Sequence, residues 1–168
     1  MTRRILIIST VFILTGFTLQ NKYIDPTGTY KLDHKTRKKN GETYGYFGEI
    51  QVKKLSADKI IMTFEVCKGA PSYNAGSFVD TLKYKNNRAI FTDPEADTTC
   101  KIIFDFKING VTVKEETADY DFGCGFGHAV VADGFYKKTS AKIPILTYPL
   151  TGEKLGTQGG RVTPEVKF

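Results

Sequence analysis

The stretch Cys100-Lys-Ile-Ile-Phe-Asp-Phe-Lys-Ile108 alternates large apolar side chains with mostly polar ones. In an extended chain, one side would carry Ile102, Phe104, Phe106 and Ile108, and the other side Lys101, Ile103, Asp105 and Lys107. A period of two is typical of a β-strand that buries one face and exposes the other. The stretch therefore predicts a sheet with one face packed on a core.

Seven further stretches show the same alternation, and together they predict an all-β domain with no substantial helix beyond the N-terminal leader. The predicted strands are 28–33, 43–54, 59–67, 77–84, 88–92, 100–108, 111–116 and 128–137. Their predicted inward face is rich in aromatic residues, namely Tyr30, Tyr44, Tyr46, Phe64, Phe78, Tyr84, Phe91, Phe104, Phe106 and Phe135. Asp80, Glu115 and Asp133 have the same inward parity, and we expect them to bond backbone groups or to lie near strand ends.

The connections between these strands alternate in length. Tight turns are predicted at 56–58, 86–87 and 109–110, and Asn109-Gly110 is a strong signal for a type I′ turn. Long connections fall between them, at 34–42, 68–76, 93–99 and 118–127. Because alternate connections of an up-and-down meander lie at the same end, one end should carry all four long loops.

The first and last predicted strands look alike, since Thr27-Gly-Thr-Tyr-Lys31 is matched by Asp133-Gly-Phe-Tyr-Lys137. Pairing these strands would close a small eight-stranded antiparallel up-and-down barrel of the calycin-like type and remove its exposed edges. A register with Gly28 opposite Gly134 would also place His34 opposite His128. The aromatic bulk favours a filled interior over a ligand cavity.

The N-terminal residues 1–20 have the features of a signal peptide, with Arg3 and Arg4 followed by an apolar stretch at 5–14. Its end resembles a lipobox, but Phe17 stands where the lipidated cysteine would be, and an uncleaved anchor is the alternative. Residues 21–27 are predicted to be a linker, 28–138 the barrel and 139–168 an extended tail. The sequence therefore predicts an exported, periplasmic or extracellular protein, with membrane contact only through an uncleaved leader.

The charge pattern gives no indication of nucleic-acid binding. The net charge is +6, and loss of the two leader arginines would leave +4. The one basic run, Lys35-Thr-Arg-Lys-Lys39, is short and has no interleaved aromatic residue.

Three cysteines, Cys67, Cys100 and Cys124, are expected in an oxidising compartment, so one bridge and one free thiol are predicted. All three fall at the predicted loop end. A Cys100–Cys124 bridge is favoured because the glycines around Cys124 let its loop reach, and Cys67–Cys124 is the alternative.

Candidate binding residues lie in the long loops. Tyr73 and Asn74 occupy the tip of a loop braced by glycine and proline, and tyrosine provides contact area at low entropic cost. Phe122 and Phe126 flank Cys124 and would form an apolar contact patch or plug the mouth of the barrel, with His128 beside them.

Catalytic and metal sites are not predicted. Cys124 with His128 as nucleophile and base is a poor candidate, because an exported cysteine among glycines is typically half of a disulfide. A metal set of His34, His128, Cys124 and Asp121 matches no known spacing. No cofactor motif occurs in the sequence.

The segments Cys124-Gly-Phe-Gly-His-Ala-Val-Val-Ala-Asp-Gly-Phe-Tyr-Lys-Lys138 and Cys67-Lys-Gly-Ala-Pro-Ser-Tyr-Asn74 resemble a family of uncharacterised exported bacterial β-barrel proteins. The resemblance covers roughly 28–138 and implies no activity. The architecture is also loosely similar to bacterial lysozyme inhibitors and calycin-like binders. The predicted function is a non-catalytic binding module that contacts an envelope protein or glycan through the long loops. The alternatives are a carrier of a small apolar ligand and a lysozyme-inhibitor-like protein.

Overall fold

The computed structural model describes residues 22–149 and 152–155, and it is built almost wholly from β-strands. The strands are β1 (Gly28–Leu32), β2 (Arg37–Lys39), β3 (Glu42–Lys54), β4 (Lys59–Gly69), β5 (Ala75–Lys85), β6 (Arg88–Phe91), β7 (Lys101–Lys107), β8 (Gly110–Glu116) and β9 (Gly134–Ser140). A single 3₁₀ turn covers Gly123–Gly125. Within the described residues, no helix has the length and apolar character needed to cross a membrane.

The sheet closes on itself as an eight-stranded antiparallel barrel. Neighbouring strands pair in chain order, and β1 completes the ring by pairing antiparallel with both β3 and β9. The short strand β2 pairs only with β3 and lies outside the ring. The predicted fold class and the predicted closure of the first strand on the last are confirmed. Strand β2 was not predicted, because three consecutive basic residues carry no alternation.

The closing strand differs from the prediction in its start and its register. Strand β9 begins at Gly134 instead of His128, and Leu32 pairs with Tyr136 where the predicted register would place it beside Val130. The predicted pairings of Gly28 with Gly134 and of His34 with His128 are therefore wrong. Residues 128–133 stay in a loop because their backbone groups bond elsewhere, as when the Ala132 N–H donates to buried Glu115 at 2.7 Å.

The shifted strand also changes which aromatic side chain enters the barrel. Tyr136 is completely buried, whereas Phe135, predicted to point inward, lies on the outer face against Gly110. The tight turn from β7 to β8 is formed by Ile108 and Asn109, so Ile108 is 82% exposed rather than inward. Neither Asn109 nor Gly110 has a positive φ, so the predicted type I′ turn is wrong there. Asn86 and Asn87, with φ of 54° and 62°, form the turn with two left-handed residues.

Aromatic rings fill the barrel. Phe64 lies at the centre of this core, with ring centroids 5.3 Å from Phe78, 5.7 Å from Phe104 and 5.8 Å from Tyr136. The remaining fully buried side chains are mostly branched aliphatics from alternate strand positions, including Ile50, Val52, Ile60, Ile102 and Val111. Tyr44 is the other predicted core aromatic that lies outside, where Arg37 sits 5.5 Å above its ring. The filled interior follows the prediction made from aromatic content.

The end with the tight turns, here called the tight-turn end, is crossed by residues 22–27. The Tyr84 and Tyr30 hydroxyls donate to the carbonyl oxygens of Ile24 and Pro26 at 2.7 and 2.6 Å. The Ile24 N–H in turn donates to Asn87 Oδ1 at 2.8 Å. The predicted linker is therefore bonded to the barrel. The predicted signal peptide at 1–20 lies outside the described residues, and β9 extends to Ser140, into the predicted tail.

Candidate functional site

Four long loops meet at the opposite end, here called the loop end. They are L1 (33–41, which contains β2), L2 (70–74), L3 (92–100) and L4 (117–133). Hydrogen bonds join three of these loops: Asn74 Nδ2 of L2 donates to His128 O of L4 at 3.0 Å, and the Thr117 hydroxyl of L4 donates to Asp97 Oδ2 of L3 at 2.7 Å. The predicted clustering of the long loops at one end is confirmed.

L2 presents Tyr73 and Asn74, but neither side chain is free. The Tyr73 hydroxyl accepts a hydrogen bond from the Thr43 N–H at 3.0 Å, which leaves its ring 41% exposed. Asn74 Nδ2 donates to His128 O at 3.0 Å, and Lys68 Nζ reaches the same oxygen at 3.4 Å. The two predicted residues are thus held in fixed positions, and Asn74 is tied directly to L4.

L4 presents Phe122 and His128 side by side. Their ring centroids are 5.2 Å apart, and Phe122 is 62% exposed. The loop is folded back on itself by a bond from the Ala129 N–H to Asp121 O at 2.6 Å, and the Tyr46 hydroxyl donates to Ala129 O at 2.9 Å. Tyr73, Asn74, Phe122 and His128 together are called the loop-end patch below.

Phe126 has a different position from the other candidates. It is only 6% exposed, and its ring stacks on Phe64 with centroids 6.1 Å apart. Gly76 of β5 leaves the space that this ring occupies, since a Cβ at Gly76 would meet the ring carbons of Phe126. Phe126 therefore plugs the mouth of the barrel, one of the two roles considered from the sequence, and it is not accessible as a contact residue.

A disulfide and a carboxylate hold L3 against L4. Cys100 and Cys124 lie at disulfide distance, with sulfur atoms 2.13 Å apart, as predicted, and Cys67 is the free cysteine. Asp97 accepts hydrogen bonds from the hydroxyls of Thr99 and Thr117, both at 2.7 Å. These bonds, that from Thr99 first, hold the pKa of Asp97 well below its usual range. A disulfide of this kind is compatible with an exported protein.

Glu115 is a fully buried carboxyl group directly beneath L4. Its Oε2 accepts the Ala132 N–H at 2.7 Å, and its Oε1 has no hydrogen-bond partner. Burial raises the pKa of Glu115, and the nearby Asp133 carboxylate raises it further. Asp133 itself accepts the Glu115 N–H at 2.6 Å and pairs with Lys114. Backbone bonding by Glu115 and Asp133 agrees with the expectation from the sequence.

The structure also bears on the metal set and the thiol nucleophile considered from the sequence. In the described residues, no group of three potential ligands from His, Cys, Asp and Glu is close enough to hold a metal ion. Cys124 is bonded to Cys100, so it supplies neither a thiolate nucleophile nor a metal ligand. His34 and His128 both reach the loop end, but they lie against different rings: His34 packs edge-on against Tyr46, and His128 is tilted against Phe122.

Charges at the loop end are separated, a feature that sequence reasoning missed. L1 carries the exposed basic residues Lys35, Arg37, Lys38 and Lys39, whereas L3 and L4 carry the acidic residues Asp93, Glu95, Asp119 and Asp121. Among the described residues, none of these eight side chains forms an ion pair. Tyr120, about half exposed in L4, was also missed, although an aromatic residue between two aspartates in a long loop was a usable signal.

Comparison of this chain with known protein families, with curated proteins and with solved structures finds no match. The resemblance to exported bacterial β-barrel proteins therefore stays a prediction.

Proposed function

We propose that this chain is an exported, non-catalytic binding module that contacts a protein or glycan of the cell envelope through its loop end. The observation that carries the proposal is the loop-end patch: exposed aromatic rings on loops that are bonded to one another. Aromatic residues held in place bring large contact area at low entropic cost. The Cys100–Cys124 bridge and the Asp97 bonds keep L3 and L4 in position before any partner arrives.

The filled interior supports this reading over the carrier alternative. A carrier needs a cavity inside the barrel, whereas Phe64, Phe104 and Tyr136 occupy the centre and Phe126 lies across the mouth. An apolar ligand would have to displace these rings. The separated charges of L1 and L4 add a preference for a partner with charges of both signs, which a protein surface offers.

Capture from an envelope extract tests the proposal with two matched variants. Phe122→Ala removes an exposed ring that contacts the His128 ring, and Ile90→Ala removes an exposed apolar side chain from β6, outside the loop end. We expect Phe122→Ala to lose capture and Ile90→Ala to keep it, with unchanged melting temperatures. Capture that survives both Phe122→Ala and Tyr73→Ala would overturn the proposal.

Treatment of the extract identifies the class of partner. Loss of capture after protease digestion indicates a protein, and loss after periodate oxidation indicates a glycan. The lysozyme-inhibitor alternative is tested in the same format, since a purified lysozyme would then be captured by the wild-type chain and released by Phe122→Ala.

A further inference from the structure

The tight-turn end has a surface unlike that of the loop end. Lysines stand at the strand ends around its rim: Lys53, Lys54, Lys59, Lys83, Lys85 and Lys107. All six are exposed, and among the described residues none forms an ion pair. Six unpaired lysines around one end of a small barrel make a strongly cationic surface.

Acidic residues are scarce at this end. The described segments that form it are 22–27, 55–58, 86–87, 108–109 and 141–149 with its paired residues 152–155, and their carboxylates are those of Asp25, Asp58 and Glu153. Arg88 and Asp105, on the adjoining strands, neutralise each other with Nε–Oδ1 at 2.6 Å. The net charge of this end is therefore well above zero, whereas the loop end carries comparable numbers of both signs.

Exposed apolar side chains accompany this lysine rim. Ile108 at the tip of the β7–β8 turn is 82% exposed, Leu55 in the β3–β4 turn is 51% exposed, and Ile143, three residues past β9, is 69% exposed. Exposed apolar tips surrounded by lysines are the combination that binds anionic membranes, because the tips enter the headgroup region while the lysines face the phosphates.

A shallow depression lies inside the same rim. It has a volume of about 400 Å³ and is lined by Tyr23, Ala57, Asp58, Lys83, Tyr84, Lys85 and Asn86. Two lysines and one carboxylate give this lining a small positive net charge, which agrees with the cationic character of the rim around it.

The N-terminal residues 1–21 attach to the barrel at this end. Lys22 O accepts a hydrogen bond from Asn87 Nδ2 at 2.8 Å, so residues 1–21, with their apolar stretch at 5–14, join the barrel on the lysine-rich side. A leader that remained in a bilayer would present this face to the lipid.

From these observations we infer that the tight-turn end docks onto an anionic phospholipid bilayer, with Ile108, Leu55 and Ile143 as apolar contacts and the lysine rim as the charged contact. The loop end then points away from the membrane. Membrane docking by the tight-turn end does not depend on the proposed partner of the loop-end patch, because the two surfaces lie at opposite ends of the barrel.

Vesicle sedimentation of the full chain tests the charged contact. Vesicles of phosphatidylcholine alone are compared with vesicles containing about 30% phosphatidylglycerol, at about 50 and 500 mM NaCl. Lys83→Gln/Lys85→Gln should lower the partition coefficient on anionic vesicles about 30-fold at low salt. The matched control Lys38→Gln/Lys39→Gln removes the same charge from the loop end and should leave the coefficient unchanged.

The chain contains no tryptophan, so the fluorescence of one introduced tryptophan reports which end of the barrel contacts the membrane. Ile108→Trp should show a blue-shifted emission on anionic vesicles, and Phe122→Trp at the loop end should not. Equal shifts at both positions would overturn the inference, as would equal effects of the two lysine double variants. If the protein binds neutral and anionic vesicles equally and salt has no effect, the N-terminal leader alone accounts for the binding, and the inference is wrong. If inorganic phosphate releases the protein from vesicles more than chloride does at equal ionic strength, the tight-turn end is a site for free phosphate and not for a membrane.

Discussion

The plug formed by Phe126 can be tested through the glycine beneath it. Gly76 does not have a positive φ, so alanine is allowed there by the backbone. The added methyl group, however, would lie 2.5 Å from Cδ1 of Phe126, whereas carbon atoms in favourable contact are about 3.5–4.0 Å apart. The ring would have to move by about 1 Å within a filled core. Overpacking of this kind costs about 1–3 kcal/mol, so we expect Gly76→Ala to lower the free energy of unfolding by about 2 kcal/mol.

Removal of the Phe126 ring should abolish the destabilisation caused by Gly76→Ala. Phe126→Ala alone should destabilise the barrel by about 3–5 kcal/mol, because it leaves a cavity over Phe64. In that background the methyl group of Gly76→Ala enters vacated space and no longer meets a ring. The two substitutions should therefore be non-additive, with a coupling free energy of about 2 kcal/mol.

Urea unfolding of the four proteins of this cycle measures the coupling, provided that the m-value stays constant. Ser77→Ala is the matched control, since Ser77 is the next residue of β5 and has the opposite parity from Gly76. Its effect should add to that of Phe126→Ala. If Gly76→Ala costs the same with and without the Phe126 ring, within about 0.5 kcal/mol, then L4 does not plug the barrel through this contact.

Three further predictions concern the groups that hold the two ends. Cys100→Ala/Cys124→Ala removes the bridge between two residues that are 24 apart in sequence. Because the unfolded chain gains entropy, the free energy of unfolding should fall by about 3.5 kcal/mol. An unchanged urea midpoint would contradict the bridge. Glu115 has a raised pKa in the folded state, so its stabilising contribution is fully present below the unfolded pKa and is lost as the pH rises through the folded pKa. The free energy of unfolding of Glu115→Gln, measured relative to wild type, should therefore be higher at pH 7 than at pH 4. An equal difference between the two proteins at both pH values would refute this. Asn87→Gly keeps the left-handed φ of 62° and removes both side-chain bonds to Lys22 and Ile24. It should lower the free energy of unfolding by about 1–3 kcal/mol and accelerate proteolysis before residue 28. Protection equal to wild type would show that this segment is held by other contacts.

The proposed recognition and the proposed membrane docking concern opposite ends of the barrel, so the two proposals can be tested separately. Phe122→Ala should affect capture and leave vesicle binding intact, whereas Lys83→Gln/Lys85→Gln should do the reverse. The aromatic core between the ends, centred on Phe64, keeps them at a fixed distance.

Several features of the site were predictable because they follow from local pattern and chain connectivity. Alternate long and short connections placed L1 to L4 at one end, since the strands of a meander reverse direction at every turn. The same argument placed all three cysteines at that end and identified Tyr73, Asn74 and Phe122 as loop residues. His128 was predicted to begin the last strand, and the structure places it in L4 instead. The burial of Phe126 was not predictable, because it depends on the space left by Gly76, on a strand about 50 residues away in the chain.

By itself, the sequence determined the all-β class, seven strands with nearly their observed bounds and the closure of the first strand on the last. Period-two alternation is enough for this, because burying one face of an antiparallel sheet imposes it residue by residue. Only the tertiary structure decided the register of β9, the inward turn of Tyr136 instead of Phe135, and the Ile108–Asn109 turn. These depend on competition for backbone hydrogen bonds, in which buried Glu115 holds Ala132 outside the sheet and delays the strand to Gly134. The cationic tight-turn end is likewise a tertiary feature, since its lysines are scattered along the sequence and meet only when the strands close into a ring.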